Sequence, residues 1–315
     1  MLAAGWEVDL TGRDPSHVPS DLAGARFVGS DRRDPGQLAD AFGLGADLLV
    51  DCACFTAEDA ATLLPFAREA SSTVLISSKA VYVDADGNHS NSEQKPNFGG
   101  PVSETQPTVA PGGGDYMTRE GYGANKVAAE QVLLGSGAPV TVLRPSKIHG
   151  PGSRQPREWV FVKRVLDRRP AVFLARRGAS VDHPSAAANI AALIEVAAGS
   201  PGTRVLNSAD PDAPSALEIS RAIASHLGHS WNEVLLDDAP ADGVGRTPWD
   251  APHPIVLDTS SALEFGYEPA GDYAATVSDE IDWLVSGAEP RPATDDEYFA
   301  RFLDYTAEDR RLGLG

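Results

Sequence analysis

An α/β fold built on a parallel sheet is what this sequence predicts, on three observations. Short apolar runs alternate with helix-period segments along most of the 315 residues. One run, Ala46-Asp-Leu-Leu-Val-Asp-Cys-Ala-Cys-Phe55, is continuous, as in a strand buried on both faces. Others run straight into small hydroxyl residues or Gly/Pro loops, as in Thr73–Tyr82 and Pro139–Gly152.

In chain order, residues 1–13 read as the last turn of a helix, a glycine stop at Gly5 and a strand ending at Gly12. A second strand follows over 25–34 and a third over 46–55. Thr73–Tyr82 is a strand that delivers Ser77 and Ser78 at its end, and Gly121–Glu130 is helical. Between them, 84–114 is rich in Gly, Pro, Asn and Ser and is expected to be a mobile flap over the substrate side. After the strand at 139–152, helices are expected at 158–166 and 182–197, then a strand at 203–208. Ser215 and Glu218 have capping-box spacing at the head of a further helix. At the end of the chain, Tyr298, Phe299, Phe302, Leu303 and Tyr305 recur near helical spacing, which predicts an amphipathic helix over 291–315 packing on its own domain.

Composition narrows the function classes. A hydrophobic content of 42% supports a real core, and a formal charge of -19 argues against a polyanionic partner such as nucleic acid. No apolar run approaches the roughly 20 residues that span a bilayer, and no secretory signal opens the chain. Only two cysteines, Cys52 and Cys54, are present, which fits a reducing cytoplasm. Two residues apart on a strand they share a face, and core packing is expected for both in preference to a metal or disulfide role. The basic clusters Lys163-Arg164, Arg168-Arg169 and Arg176-Arg177 either line an anionic substrate's path or, in the preferred reading, form a solvated helix face. No metal site is expected.

Chemistry concentrates in Gly121-Tyr-Gly-Ala-Asn-Lys-Val-Ala-Ala-Glu130. Residues four apart on a helix share a face, so the ammonium of Lys126 is expected beside the phenol of Tyr122, stabilising its anion. A free phenol has a pKa of roughly 10, and a fixed cation would lower it enough for proton exchange with an alcohol or carbonyl oxygen. Ser77 and Ser78 either cap their strand or orient that oxygen. No Gly-x-Ser-x-Gly elbow supports a hydrolase.

The order of these parts resembles the extended short-chain dehydrogenase/reductase family, also called the NAD-dependent epimerase/dehydratase family, over nearly the whole chain. The resemblance implies a Rossmann-like doubly wound parallel sheet with a smaller α+β substrate-binding portion. It implies a dinucleotide-binding domain at 1–150 with 181–207, a substrate-binding portion at 151–180 with 208–290, and the terminal helix beyond. Tyr122 matches the family's acid/base, Lys126 its partner that also holds the nicotinamide ribose, and Ser78 the catalytic hydroxyl, with Ser77 as neighbour. Asp31 matches the residue that approaches the adenine, Ala53 the small residue near the ribose, and Pro145 a further cofactor-side position.

The family's opening strand and glycine-rich turn are not found, and no later Gly-x-Gly-x-x-Gly follows a strand and opens a helix. In the family's strand order the first strand is central, so strands 2 and 3 would lose their neighbour and strand 4 would gain a bare edge. An internal methionine of a longer protein is the preferred reading of Met1, over a relative with impaired cofactor binding. Where NAD-specific relatives place an acidic residue, this chain has Gly12 and then Arg13, which leans to NADP over NAD. At the position of an Asn that contacts sugar nucleotides stands Lys147, which either binds a phosphate or carboxylate or faces solvent. Arg154 and Arg157 follow the Gly150-Pro-Gly loop where relatives close over substrate. His149 replaces an aromatic position and is expected to pack. The function implied is an NAD(P)-dependent oxidoreductase or epimerase acting on a secondary alcohol or ketone of a small polar metabolite or sugar derivative, as a cytoplasmic homodimer with no nucleic-acid or membrane partner. The alternative is a cofactor-poor relative that binds a ligand or partner without chemistry.

Overall fold

The computed structural model describes residues 1–18, 22, 24–287 and 296–314. A short 3-10 turn over Leu2–Ala4 stops at Gly5, whose φ of 87° is the left-handed conformation that ends helices. Then come β1 (Val8–Gly12), β2 (Ala25–Gly29), α1 (Pro35–Phe42), β3 (Leu48–Asp51), α2 (Ala57–Glu69), β4 (Ser72–Ile76), α3 (Arg119–Leu134) and β5 (Val140–Pro145). The second half adds β6 (Lys147–His149), α4 (Trp159–Leu166), β7 (Ala171–Leu174), β8 (Pro184–Ala186), α5 (Ala187–Gly199) and β9 (Arg204–Ser208). It closes with α6 (Ala216–His226), β10 (Asn232–Leu235), α7 (Ser260–Glu264), α8 (Tyr273–Ser286), α9 (Glu297–Ala300) and α10 (Tyr305–Leu312).

Local chemistry sets several of these boundaries. Thr56 and Asp59 form a capping box on α2, and Ser215 and Glu218 form the expected one on α6. Asp34 accepts from the amides of Gly36 and Gln37 and places Pro35 in the first turn of α1.

The centre is a four-stranded parallel sheet in the order β3-β4-β5-β9. Every residue of β4 and β5 is buried. Alternation divides them between two cores. Leu75, Val140 and Val142 face Leu63, Ala67 and Leu133 of α2 and α3, while Val74, Ile76 and Leu143 face Ile190 and Leu193 of α5. β1 and β2 form a separate parallel pair, and no ladder among the described residues joins them to β3. The break falls where the resemblance puts its first strand. Arg32 ties the pair to the main sheet through two bonds of 2.9 and 2.8 Å to the Asp51 carboxylate at the end of β3, and Phe42 of α1 meets Phe66 of α2 at 5.3 Å.

A second core lies beyond β5, where Trp159, Phe161, Ile219, Ile223, Trp249 and Ile281 pack α4, α6 and α8 together beside the β7–β10 pair. Two expectations are corrected here. Arg168 and Arg177 are exposed as expected, but buried Arg164 donates to Glu308 at 2.5 Å, Arg169 to Asp309 at 2.5 Å and Arg176 to Asp250 at 3.0 Å. The latter three neutralise carboxylates of the terminal segment and a neighbouring loop, where spacing alone suggested a wet helix face. The single terminal helix is two short ones, α9 and α10, because Asp304 caps a new start after Leu303; residues 291–295 and 315 of that expectation lie outside the described residues. The 84–114 segment reaches the cavity lined by Ser78 and Tyr122 through Ser90, Asn91 and Lys95, and carries structure of its own. The Asp84 carboxylate accepts from the amides of Asp86, Asn88 and Asn97, and Val102 bridges to Leu257.

Candidate active site

β4 ends at Ile76, and the next two residues diverge. The Ser77 hydroxyl is buried and donates at 2.5 Å to Glu130, which also receives the Arg144 guanidinium at 3.1 and 2.5 Å. Ser77 therefore serves a buried ion pair of the scaffold while also contributing to the wall of the cavity that Ser78 and Tyr122 line. Ser78 turns the other way, capping the 3-10 turn Lys79–Val81 by accepting from the amide of Ala80 at 3.1 Å.

α3 is pressed against that turn. A Cβ at Gly123 would stand 2.8 Å from the Ala80 carbonyl oxygen, so only glycine permits this approach. The approach places the Tyr122 phenol beside Ser78, with both side chains in the wall of one cavity. Two groups 44 positions apart in sequence thus meet at the carboxyl end of the sheet, where parallel α/β folds place their ligand crevices.

Lys126 behaves differently from the expectation. Its ammonium donates to the carbonyls of Cys54 at 2.8 Å and Ile76 at 3.0 Å, and lies 4.5 Å from the centre of the Phe55 ring. It bridges the ends of β3 and β4. Burial lowers its pKa, and burial raises that of Tyr122, with the neighbouring Ser78 hydroxyl opposing the rise. The expected depression of the phenol by an adjacent ammonium is corrected. One turn of helix brings the two residues to one face, but the carbonyls claim the amine. Phe55, whose ring lies 6.4 Å from that of Tyr122 and stacks on Tyr116 at 4.9 Å, had no distinguishing signal in the sequence.

Ser78 and Tyr122 open onto a cavity of about 450 Å³, with Pro145, the last residue of β5, also in its wall. Lys147 lines it from β6, and its ammonium sits 3.1 Å from the Asp182 carboxylate. Lys79, one residue after Ser78, is ion-paired to the other oxygen of the same carboxylate. Lys79 and Asp182 were not singled out by sequence reading. A lysine next to the serine was the available signal, and the partner lies more than a hundred residues away.

The remaining candidates lie elsewhere. Arg13 is exposed just past β1. Asp31, half-buried past β2, accepts from the amide of Arg33 at 3.0 Å within its own turn. Ala53 is exposed beyond β3, its amide bound to Asp51 at 2.8 Å. Arg154 is exposed and lines a separate cavity of about 390 Å³ formed by the loop after β6. Cys54 is buried but Cys52 is exposed, because β3 ends at Asp51 and strand alternation no longer governs them.

His149 is buried, 2.8 Å from Asp210 and 5.1 Å from the Tyr273 ring centre. Together with Glu158 and Glu280 it forms a group of potential metal-ligand atoms within 4.8 Å of one another. Burial, and then the Glu158 carboxyl, hold Glu280 well above the usual carboxylate range, and one of its oxygens accepts from the Gly150 amide at 2.6 Å.

No protein-family model matches the chain, and no curated protein matches it. Solved structures do. A UDP-glucose 4-epimerase of Thermus thermophilus in complex with NAD superposes with a TM-score of 0.64 at 19% identity, covering 91% of this chain and 94% of that one. The fold is that of the NAD-dependent epimerases and dehydratases. The Thermotoga maritima UDP-glucose 4-epimerase with UDP-glucose gives a TM-score of 0.65 at 16% identity over 90% of this chain and 93% of that one. The Bordetella bronchiseptica enzyme WbmG with NAD and UDP gives 0.63 at 20% over 90% and 89%. At these identities the epimerase/dehydratase fold is what is shared. No described helix is long and apolar enough to cross a membrane.

Proposed function

We propose that this chain is a nicotinamide-dinucleotide-dependent enzyme of the epimerase, dehydratase or reductase type, acting at a secondary alcohol or carbonyl carbon of a small polar metabolite or sugar derivative. The observation that carries the reading is the placement of Ser78 and Tyr122 side by side in the wall of the 450 Å³ cavity. Ser78 holds the substrate oxygen by a hydrogen bond. Tyr122, its phenol pushed up by burial, stands protonated at neutral pH and donates its proton to a carbonyl oxygen as that oxygen gains charge.

Toward the cofactor, the residues present fit in part. Ser78, Tyr122, Lys126 and Pro145 suit the nicotinamide end, and Arg13, Asp31 and Ala53 the adenosine end. For the pyrophosphate, the 315 residues offer no glycine turn that follows a strand and opens a helix. When bound, the nicotinamide supplies hydride exchange at carbon. The lean to NADP rests on Gly12 and Arg13 alone, and the solved relatives named above that carry a cofactor carry NAD. A cytoplasmic homodimer is part of the proposal, and sedimentation reads the subunit number.

Titrating NADH and NADPH against the full chain by nicotinamide fluorescence, and assaying Tyr122→Phe, tests the reading. Binding of one dinucleotide is expected, together with a loss of turnover of about 10²-fold or more in the variant at unchanged melting temperature. Full turnover in Tyr122→Phe ends the assignment. Failure to bind either dinucleotide favours a non-catalytic ligand-binding relative, the reading to which the unjoined β1–β2 pair lends support.

A further inference from the structure

The cavity that holds Ser78 and Tyr122 is cationic in a protein whose formal charge is -19. Four cationic side chains line it, Lys79, Lys95, Lys147 and Arg157, against two carboxylates, Asp182 and Asp250. Asp250 is already engaged by Arg176 at 3.0 Å, with Arg246 at 4.0 Å. Asp182 is shared between the ammoniums of Lys79 and Lys147. Among the described residues neither Lys95 nor Arg157 is in an ion pair; Lys95 donates to the Ser90 carbonyl at 2.7 Å and Arg157 to the Ile148 carbonyl at 3.1 Å.

Two ammoniums on one buried carboxylate leave a surplus positive charge where water is scarce. Lys79 is 6% exposed and the Lys147 side chain 20%. Such a surplus is unfavourable unless a further anion offsets it. Lys79 belongs to the turn that Ser78 caps, and Lys147 is two residues beyond Pro145, so the surplus adjoins the groups that would handle the reacting oxygen.

We propose that this cavity binds a compact acid, an oxyanion carried as a carboxylate or a phosphate ester close to the reacting carbon, with Lys147 and Lys79 holding the anion and Arg157 and Lys95 completing its charge balance. Resting on the redox reading of the Ser78–Tyr122 pair, this narrows the substrate from polar metabolites in general to hydroxy- or keto-acids and sugar phosphates. Burial first, and then the neighbouring cations Arg157 and Lys95, hold the Lys147 amine well below the usual lysine range; at Lys79 burial and the Lys147 and Arg157 charges do the same. A bound anion would reverse both effects.

Calorimetric titration of the full-length protein with sodium phosphate, sodium malonate and UDP-glucose, each against sodium chloride at matched ionic strength, tests this. Saturable binding of phosphate or malonate is expected in the wild type and in Tyr122→Phe, weakened at least 10-fold in Lys147→Met and largely retained in Lys147→Arg. Circular dichroism confirms that each variant is folded. Phosphate alone binding assigns a phosphate ester, and malonate alone a carboxylate. Equal affinity in wild type and Lys147→Met overturns the proposal, as does UDP-glucose binding with neither small anion doing so. The redox reading fails separately: anion binding with full turnover in Tyr122→Phe leaves the acid site standing, whereas turnover lost in Tyr122→Phe without any anion binding removes only the acid site.

Discussion

β4–β5 and β1–β2 are both parallel pairs of strands in one α/β chain, yet their surroundings differ. Each residue of β4 and β5 is buried, whereas β1 and β2 alternate between half-buried and exposed and α1 buries none of its residues. The residue types are comparable, with Val8, Leu10, Phe27 and Val28 available in the outlying pair. The difference lies in neighbours. β4 and β5 have strands on both edges and helices on both faces, whereas β1 and β2 bond only each other among the described residues. Burial in a parallel sheet is a property of position in the sheet, and apolar sequence only permits it.

The sharpest way to break the packed half is at its buried ion pair. Glu130→Leu leaves Arg144, 6% exposed, without its carboxylate and frees the Ser77 hydroxyl, for an expected loss of about 3–5 kcal/mol by urea denaturation. A loss under about 1 kcal/mol would mean that the pair contributes little to that half.

Next in size, Leu143→Ala in β5 is expected to cost about 2–5 kcal/mol, and Leu10→Ala in β1 about 1 kcal/mol or less, since half-buried Leu10 leaves no closed cavity. Equal losses would contradict the contrast. Hydrogen exchange sharpens the same point without mutation. Amides of β4 and β5 should exchange only with global unfolding, and those of β1 and β2 at distinctly lower opening free energies.

The smallest effect concerns Lys147. Its pKa is lowered in the folded chain, so between that lowered value and the ordinary lysine range the unfolded chain binds more protons. The unfavourable contribution of this amine is full below the lowered pKa and fades as pH rises towards the ordinary range. Wild-type stability should therefore gain on Lys147→Met as pH rises from neutral to alkaline, read from urea midpoints of both proteins. Parallel profiles would show that Lys147 does not titrate abnormally.

Periodicity and capping chemistry made most of the elements readable in advance. Gly5 stops the first turn, Ser215 and Glu218 open α6, and continuous apolar runs became β3, β4 and β5. The Ser78, Tyr122 and Lys126 positions were also legible, because a strand end and a four-residue helical spacing are local signals. Their energetics were not. The spacing placed Lys126 beside Tyr122, but the Cys54 and Ile76 carbonyls, supplied by two other strand ends, hold its amine.

Residue order by itself determined the α/β class and the strand and helix positions, since each depends on patterns within a few residues along the chain. Tertiary structure alone decided that Ser78 and Tyr122 meet, that Ser77 serves Glu130, that Arg164, Arg169 and Arg176 are paired, and that Lys79 and Lys147 converge on Asp182. The reason is that a charge is governed by whichever groups share its low-dielectric surroundings, and packing brings those groups from anywhere in the sequence.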